Sequence, residues 1–255
     1  MKAGSGMVVK RSNFFSPAGE ERRLHLYLPE DCGRGGERLP VLYMFDGHNL
    51  FFDHDATFGK SLGLKEFLDR WEKRLIVVGI ECSAEDVTRV HEYCPFDIKS
   101  AIYGEIRGRG EATMRFITQE LKPMIDREYP TWPFREATAI AGYSMGGMLA
   151  LYGVLRHNRY FSKAAVISPS VLPAMEAFRA EIARDELSPD TRVFLSWGTN
   201  EYGPADAQIE RALYELEGRM QQKGATTWMH RHEGGQHNEA SWEKQVPVWM
   251  RFLWL

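Results

Sequence analysis

A serine stands between two glycines where an apolar run meets the start of a helical pattern. Gly142 to Gly146 form a G-x-S-x-G pattern centred on Ser144. A sharp strand-to-helix turn would hold Ser144 at its apex, and side chains two residues to either side would collide, which explains both glycines. This context predicts an exposed nucleophile at the carboxyl end of a strand. The alternative is a plain strand–helix turn that Ser144 caps.

A serine hydroxyl needs a general base, and histidine is the usual one. Of the eight histidines, His237 lies in a glycine-rich loop after the last predicted strand and before the last predicted helix. It follows the serine, as the chain order of α/β-hydrolases requires. His230 and His232 alternate along a predicted strand. Their spacing would suit a metal, but no carboxylate cluster supports one, so we interpret them as strand-face side chains and predict no metal site.

The acid of such a triad follows the strand before the last one. The loop after Trp197 contains Glu201, which would fix the tautomer of His237 and stabilise its imidazolium form. Asp206 is the alternative, although an acid there suits the first turn of a helix. The sequence therefore predicts Ser144, Glu201 and His237 as a catalytic triad.

The tetrahedral intermediate formed by such a serine needs backbone donors. One is expected from the N–H of Met145, directly after the serine, and the other from the loop after the first inner strand. Gly47 lets that loop approach the substrate, so the N–H of His48 is our candidate for the oxyanion hole. The His48 ring precedes the serine, which breaks the chain order, so we assign His48 a backbone role.

Side chains in or next to these loops are predicted to line the substrate pocket: Asn49, Arg89, Tyr143 and Trp242. Aromatic groups would suit a hydrophobic or aromatic ester, and Arg89 could bind an acidic group of the substrate. An ion pair with Glu92 that holds the loop is the alternative role for Arg89. Residues 81–110 fit neither a strand nor a helix pattern, and we predict an irregular insertion near the ligand crevice.

Strands and helices alternate along the chain that must position these residues. Val8–Phe15 and Arg23–Leu28 predict an antiparallel hairpin. Apolar runs follow at Pro40–Phe45, Leu75–Ile80, Ala137–Gly142, Lys163–Ile167 and Arg192–Trp197, with a more polar, edge-like run at Thr226–Arg231. Helical patterns cover Glu111–Tyr129, Ala205–Lys223 and Trp242–Leu255. The order predicts an α/β fold: a doubly wound, mostly parallel sheet with an antiparallel N-terminal edge and helices on both faces.

Composition narrows the class of protein. The chain has 255 residues, 44% of them hydrophobic, and a formal net charge of -3, which predicts one soluble domain over residues 1–255. There is no basic stripe for nucleic acid, no apolar run of the ~18 residues a membrane helix needs, and no leader-like apolar stretch at the start. The scattered Cys32, Cys82 and Cys94 predict thiols in a reducing cytoplasm. We expect no cofactor, and leave a homo-oligomer open.

Six segments together resemble a known family. They are Asp46–Phe51, Arg89–Tyr93, Phe116–Pro123, Gly142–Gly147, Ser168–Ser170 and Gly198–Glu201. The chain from about Arg23 onward is similar to the putative esterase family, which includes esterase D-like, enterochelin esterase-like, feruloyl and acetyl-xylan esterases and the mycolyltransferases. The resemblance implies an α/β-hydrolase fold with the same triad and the same two oxyanion donors. Gln236 departs from the glycine that many members carry before the histidine.

The expected activity is therefore hydrolysis of a small or aromatic carboxylic ester through an acyl-enzyme, with feruloyl, acetyl or siderophore-like esters as examples. Acyl transfer to an alcohol on the same triad is one alternative. A non-catalytic binding protein that keeps the fold is another, and the presence of nucleophile, base, acid and both oxyanion loops argues against it.

Overall fold

An eight-stranded sheet forms the centre of the protein. The computed structural model describes residues 4–184 and 186–255. The strands are β1 (Met7–Phe15), β2 (Glu20–Leu28), β3 (Val41–Phe45), β4 (Ile76–Ile80), β5 (Ile98–Ser100), β6 (Gly104–Ile106), β7 (Thr138–Tyr143), β8 (Lys163–Ile167), β9 (Arg192–Gly198) and β10 (Thr226–His232). The main sheet has the order β1-β2-β4-β3-β7-β8-β9-β10, and β5 and β6 form a separate hairpin.

The main sheet is parallel except at its N-terminal edge. The β1–β2 and β2–β4 pairs are antiparallel, and the other neighbours are parallel. The polar run at Thr226–His232 is the opposite edge strand, as its composition predicts. The predicted α/β fold with an antiparallel N-terminal edge is therefore confirmed.

Helices cover both faces of this sheet. They are α1 (Leu64–Leu68), α2 (Asp86–Tyr93), α3 (Gly110–Phe116), α4 (Lys122–Glu128), α5 (Met145–Arg156), α6 (Met175–Arg184), α7 (Asp206–Gln222), α8 (Glu239–Glu243) and α9 (Val246–Trp254). Tyr43 and Phe45 pack with α2 to α7, whereas Leu42 and Met44 pack with α1, α8 and α9. Because successive side chains of β3 enter opposite cores, the strand reads as an unbroken apolar run.

Residues 81–110 are more regular than the sequence indicates. They form α2 and the β5–β6 hairpin, so the prediction of an irregular insertion is wrong. Val90 and Tyr93 lie three residues apart on one face of α2 and enter the core, which stabilises a helix that is polar at its other positions except for the exposed Val87.

Two helical predictions differ in detail. The run from α3 to α4 contains a π-helical segment, Ile117–Leu121. Pro123 has no N–H to donate to the preceding turn, which favours this local widening. The terminal helix is two helices, α8 and α9, with Pro247 in the first turn of the second. Within the described residues, no helix has the length and apolarity to cross a membrane.

Candidate active site

The strand-to-helix turn at Ser144 is strained. Ser144 adopts φ 56° and ψ −124°, a region that non-glycine residues rarely occupy. A Cβ atom on Gly142 would lie 2.4 Å from the backbone of Gly146, so glycine is required there. The Ser144 N–H donates to the carbonyl of Ile167 on β8 at 3.0 Å, which ties the turn to the neighbouring strand. Gly142 thus has the steric reason that the sequence predicts, whereas a Cβ atom on Gly146 would instead lie 3.1 Å from Phe45 Cβ.

Three side chains from distant loops meet at this turn. Ser144 Oγ lies 2.9 Å from His237 Nε2, and His237 Nδ1 lies 2.9 Å from Glu201 Oε2. A carboxylate can only accept, so Nδ1 carries the proton and Nε2 is left to accept from the serine hydroxyl. The loop of His237 is fixed by Asn238, whose side chain accepts the Ser241 N–H at the start of α8. The structure therefore brings together the three residues predicted as a triad.

Both carboxylate oxygens of Glu201 have partners. Oε1 accepts from the Ser168 hydroxyl at 2.5 Å and from the Gly198 N–H at 2.6 Å, and the side chain is 1% exposed. Ser168 Oγ in turn accepts from Trp242 Nε1 at 3.0 Å. Asp206, the alternative acid, instead accepts the Tyr202 N–H at the start of α7. The geometry thus places Glu201, and not Asp206, on His237.

Two aromatic side chains enclose the His237 ring. The Tyr202 hydroxyl lies 2.9 Å from Nδ1 and 3.0 Å from Nε2, so it rests against the ring face rather than along one lone pair. Trp242 meets the ring edge-on, with centroids 4.9 Å apart. Burial and the nearby charge of Glu201 raise the pKa of Tyr202, which stays a neutral phenol. Sequence reasoning missed Tyr202, although it directly follows Glu201 in the loop.

The Asp46 loop lies beside the nucleophile turn. Asp46 has a positive φ of 57°, and Gly47–Asn49 form one short helical turn. A Cβ atom on Gly47 would lie 2.6 Å from the Gly79 backbone on β4, so the loop approaches the sheet too closely for a side chain. His48 in this turn and Met145 at the start of α5 lie where backbone N–H groups lack helical acceptors. The N–H groups of these two residues are the ones that the sequence predicts as oxyanion donors, and that role stays a prediction.

The alternative role for Arg89, an ion pair with Glu92, is wrong. Arg89 donates from Nε and Nη2 to the two Asp46 oxygens at 2.8 and 2.7 Å, whereas Glu92 is paired with Arg22 on β2. Asp46 is 1% exposed, and a buried carboxylate needs a counter-charge. Burial acts to raise the pKa of Asp46, but Arg89 outweighs it and holds that pKa below its ordinary value.

The comparison with known families decides the class of this site. Residues 16–253 match the putative esterase family. The chain belongs to this family. It is an enzyme of the carboxylic ester hydrolase class.

Individual relatives of this esterase are distant. It is 27% identical to the uncharacterized protein YbbA of Bacillus subtilis (strain 168) over 195 residues, which cover 75% of this chain and 73% of that protein. Among solved structures, it is similar to an IroE-like serine hydrolase from Shewanella oneidensis (TM-score 0.78, 18% identity, covering 96% of this chain and 79% of that one). It is also similar to the enterobactin esterase FES of Shigella flexneri (TM-score 0.72, 19% identity, 97% and 59%). At these identities the structural likeness shows a shared fold.

The esterase has a cavity of about 590 Å³ beside Ser144, a size that suits a small-molecule ligand. All four predicted substrate-binding side chains line it: Asn49, Arg89, Tyr143 and Trp242. Phe58 and Tyr103 also border it, and their side chains are exposed. The cavity therefore combines polar walls with an aromatic border.

One side-chain cluster of the esterase has the spacing of a metal site. Among the described residues, Asp46, His48 and Cys82 bring ligand atoms within 4.8 Å of one another. Arg89 already neutralises Asp46 through both oxygens, and burial raises the pKa of the Cys82 thiol, which keeps it protonated. These groups do not fit a cation. The cluster is a wall of the cavity.

Proposed function

We propose that this esterase cleaves carboxylic esters by nucleophilic catalysis with Ser144, His237 and Glu201. The chain of two 2.9 Å contacts from the serine hydroxyl through the imidazole to the carboxylate carries this proposal. As Ser144 Oγ attacks the carbonyl carbon, His237 Nε2 takes its proton, and Glu201 stabilises the imidazolium that forms.

The developing negative charge on the carbonyl oxygen needs donors that are in place beforehand. In the proposed mechanism the N–H groups of Met145 and His48 supply them. His237 then gives its proton to the leaving alcohol, and the acyl group remains on Ser144. Water attacks this acyl-enzyme with His237 as the base, which releases the acid and restores the serine.

The cavity favours a small or aromatic ester. Tyr143 and Trp242 stack with centroids 4.3 Å apart and give the cavity a flat apolar wall. Arg89 uses Nε and Nη2 to hold Asp46, so Nη1 is the part of its guanidinium left to bind a substrate oxygen. The fold neighbour from Shigella flexneri is an enterobactin esterase whose structure was obtained with 2,3-dihydroxy-N-benzoyl-serine, an aromatic compound.

Labelling with a fluorophosphonate tests the nucleophile, because such probes react with an activated serine and need no particular ester. We expect one adduct on Ser144 by mass spectrometry, and none in the Ser144→Ala variant. A folded wild-type protein without an adduct would identify a binding protein instead.

Acyl transfer uses the same triad, so product analysis must separate it from hydrolysis. We expect free acid to be the main product of p-nitrophenyl acetate even when methanol or glycerol is added at moderate concentration. A new ester as the main product under these conditions would reassign the enzyme as an acyltransferase.

A further inference from the structure

One corner of the cavity holds polar groups that the proposed mechanism does not use. Glu239 lies in the first turn of α8, two residues after His237, and it lines the cavity although it is only 6% exposed. Among the described residues, its carboxylate accepts from its own backbone N–H and, at 3.5 Å from Nδ2 to Oε1, from Asn49, a distance at the outer limit of a hydrogen bond. The carboxylate therefore has spare acceptor capacity next to the nucleophile.

A second incompletely bonded group belongs to the same corner. The Tyr143 hydroxyl is buried, and although the Asn49 side chain lies close enough to lower its pKa, no group among the described residues accepts the hydroxyl proton. Its ring is held against Trp242, so the hydroxyl has a fixed position. Burial, with the negative charges of Asp46 and Glu239, raises the pKa of Tyr143 and keeps it a neutral donor. We refer to Asn49, Tyr143 and Glu239 as the Glu239 corner.

Buried polar groups without partners cost free energy and are rare in folded proteins, so each one needs a reason. A ligand that both donates and accepts would satisfy this corner, because it could donate to Glu239 and accept from Tyr143. A hydroxyl group does both. An ammonium group could only donate, so the proton of the Tyr143 hydroxyl would still have no acceptor.

We propose that the Glu239 corner is a subsite for a hydroxyl group carried by the ester substrate. This inference rests on the proposed function and narrows it: preferred substrates carry a hydroxyl near the scissile bond. The hydroxyl belongs either to the acyl part or to the alcohol part of the ester, since both parts lie in the same cavity when the ester is bound. Arg89 holds Asp46 through Nε and Nη2 and makes no hydrogen bond to Glu239 among the described residues.

Ester pairs that differ by one hydroxyl test this subsite. On the acyl side, methyl 3-hydroxybutanoate is compared with methyl butanoate. On the alcohol side, 2-hydroxyethyl butanoate is compared with propyl butanoate. For the wild type we expect a kcat/KM preference of about tenfold or more for the hydroxylated member of at least one pair, since unpaired buried groups reject the analogue that lacks the hydroxyl.

Variants locate the preference. Glu239→Gln and Tyr143→Phe should each reduce the preference about tenfold, mainly by raising KM for the hydroxylated ester. Glu81→Gln is the matched control, because Glu81 also lines the cavity but is paired with His25 at 2.7 Å. It should keep the preference. Tyr143→Phe removes an unpaired hydroxyl without removing packing, so it stays informative if Glu239→Gln does not fold.

The outcomes separate the subsite from the catalytic proposal. Equal turnover within every pair, a preference that survives in both variants, or a stronger preference for an amino-substituted ester would overturn the subsite and leave the triad intact. An unreactive Ser144 towards fluorophosphonate, with no turnover of any ester, would instead overturn the proposed function.

Discussion

Glu201 is held in one orientation because both of its carboxylate oxygens have partners. Ser168 and Gly198 occupy Oε1, which leaves Oε2 to face His237. A glutamine here has one N–H₂ group in place of an acceptor oxygen. If this group faces the Gly198 N–H, two donors meet, and if it faces His237, it favours the tautomer in which Nδ1 carries no proton. The contribution of Glu201 is therefore one of charge and orientation together.

The first prediction follows from this arrangement. Glu201→Gln should lower kcat by about 10³–10⁴-fold, as a similar replacement does in other serine hydrolase triads. Asp206→Asn is the control, because Asp206 was the alternative acid, and its kcat should stay within about threefold of wild type. Steady-state kinetics on p-nitrophenyl acetate would measure both. A larger loss in the Asp206 variant would reverse the assignment.

At the residue scale, chain order was enough to predict Ser144, Glu201 and His237 as neighbours. It was not enough for Arg89, because the sequence offers Glu92 three residues further along the helix, while the actual partner, Asp46, lies 43 residues earlier. Tyr202 and Glu239 lie near His237 and Ser144 because of how the tertiary structure arranges their segments, and no local sequence pattern predicts that arrangement. A local sequence pattern can predict only ion pairs between residues that are close in sequence, whereas the partner of a buried charge is set by the tertiary structure.

The element that matters most for function is the turn between β7 and α5. Gly142 and Gly146 pass each other so closely that a Cβ atom on Gly142 would be 2.4 Å from the Gly146 backbone. Adding that atom must move the turn, and the Ser144 hydroxyl with it. Glycine here is a requirement of close approach and not of helix or strand propensity.

Gly142→Ala should therefore lower the free energy of unfolding by about 1–3 kcal/mol and greatly reduce fluorophosphonate labelling of Ser144. Gly218→Ala is the matched control: Gly218 lies inside α7, and a Cβ atom there meets nothing within 4 Å. It should stabilise the protein by up to about 1 kcal/mol. Urea unfolding compares the two, and equal effects would contradict the steric account of the turn.

At the element scale, the strands were predictable to within a few residues because they are buried on both faces. The predicted run Lys163–Ile167 coincides with β8. Residues 81–110 were not predictable, because α2 and the β5–β6 hairpin are short and mostly polar and bury few apolar side chains, among them Val90, Tyr93 and Ile106. The π-helical segment before Lys122 likewise has no periodic signal.

At the scale of the whole molecule, one sheet separates two apolar cores. Side chains of β3 enter both of them, so both cores depend on the same strands of the sheet. We propose on this basis that the chain folds as a single α/β-hydrolase domain. Thermal or urea unfolding followed by tryptophan fluorescence and by circular dichroism should give coincident transitions. Two separate transitions would contradict a single domain.

Acid should destabilise the whole molecule. The pKa of Asp46 is lowered because Arg89 outweighs burial, the pKa of Glu81 is lowered because His25 outweighs burial, and burial lowers the pKa of His48. Each group binds fewer protons in the folded state than in the unfolded state, so stability is lost as the pH falls. Glu239 acts in the opposite sense, because burial raises its pKa.

The free energy of unfolding should therefore decline as the pH falls below about 6.5, the ordinary value of histidine, and more steeply below about 4.3, where unfolded glutamate takes up protons. Urea unfolding between pH 7 and pH 3.5 would measure the decline. Stability that stays constant or rises over this range would contradict the ion pairs described here.

The central claim is that Ser144 carries the acyl group during ester cleavage. Its most direct test is the turnover of acetyl, butyryl, feruloyl and siderophore-like esters by the wild type and by Ser144→Ala, with circular dichroism to show that both are folded. The wild type should hydrolyse at least one short or aromatic ester, and the variant should lose that activity by a factor of about 10⁶. Equal turnover by the two proteins would contradict the mechanism.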